Sequence, residues 1–179
     1  EGSLYSVGKE DNSVQIYSKV TGLSDIQIEK IFYIAEKQML FASYGNGNID
    51  FVADDGSVVN LSDIYNKNIT ADKKVNDQLY YDSYLYLAMP FGIVKVDVSR
   101  NEIADTYYFK DTDGVYINAL SIGIVGDSFF VTAPDRILKA PAKGKNLANF
   151  ANWQKLTDLP SGKNTKSVVF ESKIYLLQE

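Results

Sequence analysis

An apolar residue followed by an aromatic recurs at Leu40-Phe41, Leu85-Tyr86, Phe129-Phe130 and Ile174-Tyr175, in steps of 45, 44 and 45 residues. A fixed period of this length constrains the fold more tightly than composition does. Each repeat must be one structural unit, too small to bury itself alone, that packs against its neighbours. The surroundings of the pairs agree as well. Gln78-Leu79-Tyr80-Tyr81-Asp82-Ser83 aligns without a gap on Ser167-Val168-Val169-Phe170-Glu171-Ser172. The stretch beginning Asp82-Ser83 also aligns on Asp127-Ser128-Phe129-Phe130-Val131, which has one residue fewer before the apolar pair.

Within a repeat the pattern is that of strands. Residues 78–81 and 84–88 are β-branched or aromatic runs separated by Asp82-Ser83, a polar turn between two strand-formers. Ile93-Val94-Lys95-Val96 follows, then a turn at 99–102 and a fourth run at 103–108. Corresponding turns fall at Asp54-Asp55-Gly56 and Lys143-Gly144-Lys145, where Asn, Asp and Gly tolerate the positive φ of tight hairpins. One repeat is therefore a four-stranded antiparallel meander, with strands a, b, c and d. Only residues 146–156 could hold a turn of helix, with Trp153 packed against a blade.

A four-stranded unit every 45 residues predicts an all-β chain of β-propeller blades. A β-sandwich needs no fixed period, and a solenoid usually has a shorter one. Residues 3–14 align with 92–103, so the chain opens at strand c, and it closes on strand b at 174–177. The expected organisation is a single propeller domain or propeller fragment. It comprises a half blade at 1–22, blades at about 23–66, 67–114 and 115–162, and a half blade at 163–179. The two halves either close a four-bladed ring or belong to a larger propeller. Open blade edges also make self-association an expectation.

Composition narrows the chemistry. Cysteine and histidine are both absent from the 179 residues. That removes disulfides, thiolate chemistry, Ser-His and Cys-His nucleophile pairs and histidine metal sites. A net charge of −5 argues against nucleic acid, whose phosphates demand clustered positive charge. No apolar run is long enough to form a transmembrane helix. A cysteine-free, lysine- and tyrosine-rich chain opening on Glu1 fits an exported bacterial protein whose leader is removed or left out.

Val20-Thr21-Gly22-Leu23-Ser24-Asp25 resembles the Gly-Leu-Ser opening of bacterial two-component regulator propeller repeats. The longer run from Tyr17-Ser18-Lys19 through Gly45-Asn46-Gly47-Asn48-Ile49-Asp50, together with Phe91-Gly92-Ile93-Val94, resembles the amino-terminal propeller of PorZ-like proteins. Those proteins belong to the type IX secretion system of Bacteroidetes. The resemblance implies a non-catalytic component at the periplasm or cell surface. Its partner would be a protein of an outer-membrane complex, or a glycan or lipopolysaccharide. The regulator relatives imply an alternative, a periplasmic sensor that recognises polysaccharide.

Strand alternation places the b–c and d–a loops on one face, a common location for binding residues. The candidates there are Tyr44, Asn46, Asn48, Phe91 and Arg136, with the two aromatics as the stronger binding positions. The plainer account is that Gly and Pro in these loops only shape blade turns. Asp111-Thr112-Asp113-Gly114 opens like a calcium loop but lacks the later ligands. No metal, cofactor or catalytic residue is assigned. A glycosidase-type acid pair is set by spatial separation, and no acid recurs from repeat to repeat in an apolar context that would raise its pKa.

Overall fold

The computed structural model describes residues 4–157 and 159–179. Among these residues sixteen strands form five antiparallel sheets. The first is a hairpin of β1 (Leu4–Val7) and β2 (Val14–Tyr17). Three four-stranded meanders follow. The first contains β3 (Ile28–Ile34), β4 (Met39–Tyr44), β5 (Ile49–Ala53) and β6 (Val58–Leu61). The second contains β7 (Asp77–Tyr81), β8 (Tyr84–Met89), β9 (Gly92–Asp97) and β10 (Glu102–Tyr108). The third contains β11 (Ser121–Val125), β12 (Ser128–Ala133), β13 (Arg136–Pro141) and β14 (Gln154–Lys155). A hairpin of β15 (Asn164–Phe170) and β16 (Lys173–Gln178) is the fifth sheet. These are propeller blades, three full and two half. The fourth complete blade of a closed ring is not among the sheets formed by the described residues.

The repeat is visible at atomic register. Leu40, Leu85, Phe129 and Ile174 each occupy the second position of strand b, paired with Tyr33, Tyr80, Ile124 and Val169 of strand a. Asp82 and Ser83 have φ of 51° and 68°, and Glu171 and Ser172 have 46° and 60°. Two successive positive φ values belong to the type I′ turn, whose twist matches that of paired strands.

The chain forms two compact units, one of residues up to 68 with 73–75 and 99–102, the other of the remainder. In the first, Tyr17, Leu23 and Val52 form a buried cluster that joins hairpin β1–β2 to the β3–β6 sheet. On the opposite face of that sheet Phe41 and Phe51 pair with ring centroids 5.9 Å apart. A single helical turn, α1 (Asp63–Asn66), follows β6.

In the second unit the blades stack face to face, with β11 against β7 and β8 on one side and β15 and β16 on the other. Close approach is secured at Gly123, where a Cβ would lie 2.4 Å from Val169 Cγ2. A polar latch recurs at equivalent positions. Ile122 N–H donates to Asp77 Oδ2 (3.1 Å), and Ser167 N–H donates to Ser121 Oγ (2.8 Å). Aromatic packing fills the interior, with Tyr86 4.8 Å from Phe129 and Trp153 4.8 Å from Phe109.

The third blade departs from expectation. Its strand d does not follow directly after Lys143-Gly144-Lys145 but is only Gln154–Lys155. The intervening excursion carries Leu147, the 3₁₀ turn Phe150–Asn152 and Trp153 onto Tyr107 and Phe109. Burial of these rings outweighs a longer ladder, and Trp153 Nε1 donates to the Leu147 carbonyl. Besides this expected turn, short helical turns occur at Ala35–Lys37 and α1. No helix among the described residues is long and apolar enough to cross a membrane.

Candidate functional site

Strand β4 ends in Tyr44, and residues 45–48 turn the chain into β5. Gly47, with φ of 85°, allows the tight bend. Asp50, on β5, is fully buried. A buried carboxylate must have its oxygens satisfied. Here Oδ2 accepts from the Tyr44 hydroxyl (2.6 Å) and from Ser24 N–H (2.8 Å), while Oδ1 accepts from Asn60 Nδ2 (2.9 Å). Asn60 Nδ2 also donates to Asn48 Oδ1 (2.9 Å). Burial, and then the hydrogen bond to Asp50, push the Tyr44 phenol well above its ordinary value.

Above this buried network lies an exposed link. Asn46 Nδ2 donates to Asp25 Oδ2 (2.6 Å), and Asn46 Oδ1 accepts from Asn48 N–H (3.0 Å). The Asn46 amide, followed by Ile26 N–H, holds the Asp25 carboxyl below its usual range. Asp25, Glu29, Tyr44 and Asn46 border an open polar cleft of about 260 Å³. The d–a loop at 23–25 and the b–c loop at 45–48 are thus tied into one rigid surface.

The b–c loop of the second blade has the opposite character. Phe91 is fully buried, beneath Tyr108 (6.0 Å) and Tyr116 (6.3 Å). Lys110 Nζ lies 4.6 Å from the Tyr116 ring centroid. In the third blade Arg136 grips its neighbour Asp135 through two hydrogen bonds, Nε to Oδ1 at 2.9 Å and Nη2 to Oδ2 at 2.5 Å.

These placements correct one premise drawn from the sequence. Tyr44 (1% exposed) and Phe91 (0%) are core residues rather than surface rings, and Asn48 is buried too. A loop position offered no warning, because Phe91 meets Tyr108 and Tyr116 and Tyr44 reaches Asp50, contacts that chain position alone does not reveal. Asn46 is exposed and Arg136 partly so. In the sequence Asp50 and Asn60 each look like an ordinary polar residue of a strand. The alternation Tyr44-x-Asn46-x-Asn48-x-Asp50 was the available signal. Asp111-Thr112-Asp113-Gly114 is a self-capped turn, with Asp111 Oδ1 accepting from Asp113 N–H (3.0 Å) and Val115 N–H (2.9 Å).

Residues 1–154 match the family described as TSS9, PorZ, N-terminal beta-propeller domain. Comparison with curated protein sequences finds no match. Among solved structures, PorZ, an essential surface component of the type IX secretion system of Porphyromonas gingivalis, aligns at 28% identity and TM-score 0.85, covering 99% of this chain and 23% of that one. The extracellular domain of the hybrid two-component system BT4673 from B. thetaiotaomicron aligns at 19% identity and TM-score 0.68, covering 92% and 21%. BamB from Moraxella catarrhalis aligns at 12% identity and TM-score 0.53, covering 99% and 61%. The last two show the fold alone. The chain spans less than a quarter of the PorZ and BT4673 structures.

Proposed function

The chain belongs to the PorZ amino-terminal β-propeller family, and from that premise we propose that it is a non-catalytic recognition and assembly module of a bacterial cell-envelope protein that serves type IX secretion. The observation that carries this reading is the family match over residues 1–154, supported by a structural likeness that extends along nearly the whole chain. The protein is exported, acts at the periplasm or outer-membrane surface, and meets a protein partner of an outer-membrane complex. The blades form a single propeller domain or part of a larger one.

The chemistry of the loops fits this role. Asn46 is exposed yet anchored through Asp25, so it offers a preorganised amide at low entropic cost. Arg136, paired with Asp135, presents a guanidinium edge in its own unit. Tyr44, Asn48 and Phe91 act from beneath, by fixing the loops. The test is capture of outer-membrane proteins from a type IX-secreting bacterium by the immobilised chain, read by mass spectrometry. Specific retention of secretion-system components, reduced by Asn46→Ala or by Arg136→Ala, is the expected result. Retention of none, by chain that melts cooperatively, would overturn the proposal. A sensor role shares the propeller but rests on likeness that shows the fold alone.

A further inference from the structure

Asn46 is followed by Gly47, whereas every other asparagine in the chain precedes a residue with a side chain. The difference is chemical. A backbone nitrogen can attack the side-chain amide of the asparagine before it and close a five-membered ring. A side chain on the attacking residue obstructs that approach. Glycine has no Cβ, so it leaves the path open and lets the backbone rotate into it. Asn46 is exposed at the loop tip, where water and solvent base reach it.

The folded loop restrains both reacting groups. The nucleophile, Gly47 N–H, donates to the Tyr44 carbonyl (3.1 Å). The Asn46 amide is held at both of its ends. Its Oδ1 accepts from Asn48 N–H (3.0 Å), and its Nδ2 donates to Asp25 Oδ2 (2.6 Å). Gly47 itself is buried, and a Cβ there would lie 2.8 Å from both Ile64 Cγ2 and Lys73 Cβ. Neighbours this close resist turning of the peptide. Ring closure therefore waits on a local opening that releases these contacts.

We propose that Asn46 is a site of spontaneous deamidation, and that its bond to Asp25 is part of the latch that restrains the reaction. On opening, the Gly47 nitrogen gives its proton to solvent base and bonds to Asn46 Cγ. The Cγ–Nδ2 bond breaks, and ammonia leaves with a proton taken from solvent. Water then opens the succinimide at Cγ, giving aspartate, or at the Asn46 backbone carbonyl carbon, giving isoaspartate. One water is consumed and one ammonia released, and nothing is oxidised or reduced. Neither product restores the latch. The ionised aspartate has no hydrogen to donate to Asp25 and meets it as a like charge. Isoaspartate lengthens the backbone of the turn by one carbon. A transient opening is thereby recorded as a permanent negative charge at the loop tip. This chemistry does not require Asn46 to meet a partner, so it stands or falls apart from the recognition reading.

The experiment incubates the folded chain at mildly alkaline pH and follows Asn46 by peptide mapping and mass spectrometry, with isoaspartate resolved chromatographically. A peptide with the sequence of residues 42–50 is the unrestrained reference. Asn46 in the folded chain should convert about tenfold to a hundredfold more slowly than in the peptide. Asp25→Ala should speed conversion about threefold, whereas Asp25→Asn, whose amide oxygen can still accept, should stay within about twofold of wild type. Thermal melts establish that each variant folds. Asn46→Asp, which mimics one product, should speed amide exchange of residues 24–26 and 45–48 at neutral pH. Conversion in the folded chain as fast as in the peptide, no conversion at Asn46 in Asp25→Ala once the peptide has fully reacted, or a rate in Asp25→Ala no higher than in wild type would overturn the proposal. Unchanged exchange in Asn46→Asp would overturn the claim that the product breaks the latch.

Discussion

The b–c loops of the first and second blades sit at the same point of the meander and are closed by opposite chemistries. In the first, Tyr44, Asn46 and Asn48 gather around the buried Asp50 carboxylate. In the second, Phe91 is buried and the Phe91 carbonyl accepts from Phe109 N–H (3.1 Å). The repeat therefore dictates where a loop lies but not what holds it. A loop fixed by polar side chains leaves an exposed amide, Asn46, at its tip. A loop fixed by an aromatic and a close backbone contact spends its side chain on the core.

Glycine substitutions should separate the two loops most strongly. Gly92 has φ of 130°, and a Cβ there would lie 2.0 Å from the Tyr107 carbonyl oxygen and 3.0 Å from Phe109 N. Both obstacles are backbone and cannot swing aside. Gly92→Ala should cost about 3–5 kcal/mol or prevent folding. At Gly45 the nearest atom is Glu29 Oε1, at 2.6 Å, on a flexible side chain, and its φ is not positive. Gly45→Ala should cost less than about 1 kcal/mol. Urea denaturation of both variants measures the contrast, and equal losses would contradict it.

Asp50 comes next in size. Its removal leaves the Tyr44 hydroxyl, Ser24 N–H and one Asn60 contact without their acceptor in a buried setting. Asp50→Ala should therefore cost about 3 kcal/mol. Tyr44→Phe, which removes one donor and leaves the carboxylate two others, should cost about 1 kcal/mol. If the two variants are equally stable, the network does not hold the first loop.

Alkali should act on the second unit by a smaller amount. Burial, then the nearby Asp105 carboxylate, push the Tyr107 phenol up to about 12, and burial raises Tyr86 further. The unfolded phenols ionise near 10. Above that pH the unfolded chain binds fewer protons than the folded one, so stability falls as pH rises. The loss should begin near pH 10 and continue towards 12, and Tyr107→Phe should reduce it. Urea midpoints across this range, with tyrosinate absorbance, provide the measurement.

What the sequence disclosed follows the same division. The turn pairs Asp82-Ser83 and Glu171-Ser172 and the strand-b positions of Leu40, Leu85, Phe129 and Ile174 were legible because register repeats with the backbone. The short strand d of the third blade was not, because Leu147 and Trp153 dock onto residues of the preceding blade. Asn46 could be recognised as a surface residue. Tyr44 and Phe91 could not be recognised as buried, since Tyr44 turns its hydroxyl onto Asp50, which also accepts from Ser24 N–H of the d–a loop, and Phe91 meets the d–a segment at Phe109. Asp50 became meaningful only once three donors were seen to converge on it.

The smallest effect bears most directly on the proposed recognition role. Asn46 is exposed, and its bond to Asp25 spans two surface loops. Asn46→Ala should lower stability by only about 0.5 kcal/mol, as expected for an exposed hydrogen bond. The Asp25 carboxyl is held below its ordinary 3.8, so in the folded state the link persists above that value and is lost only as pH falls through the lower folded one. Loosening of the loop should therefore appear in amide exchange of residues 24–26 and 45–48 only below about pH 4, and in Asn46→Ala at every pH. If the variant exchanges no faster than wild type at pH 7, the first loop is rigid without its polar tip. The contrast between the two loops would then concern their buried halves alone.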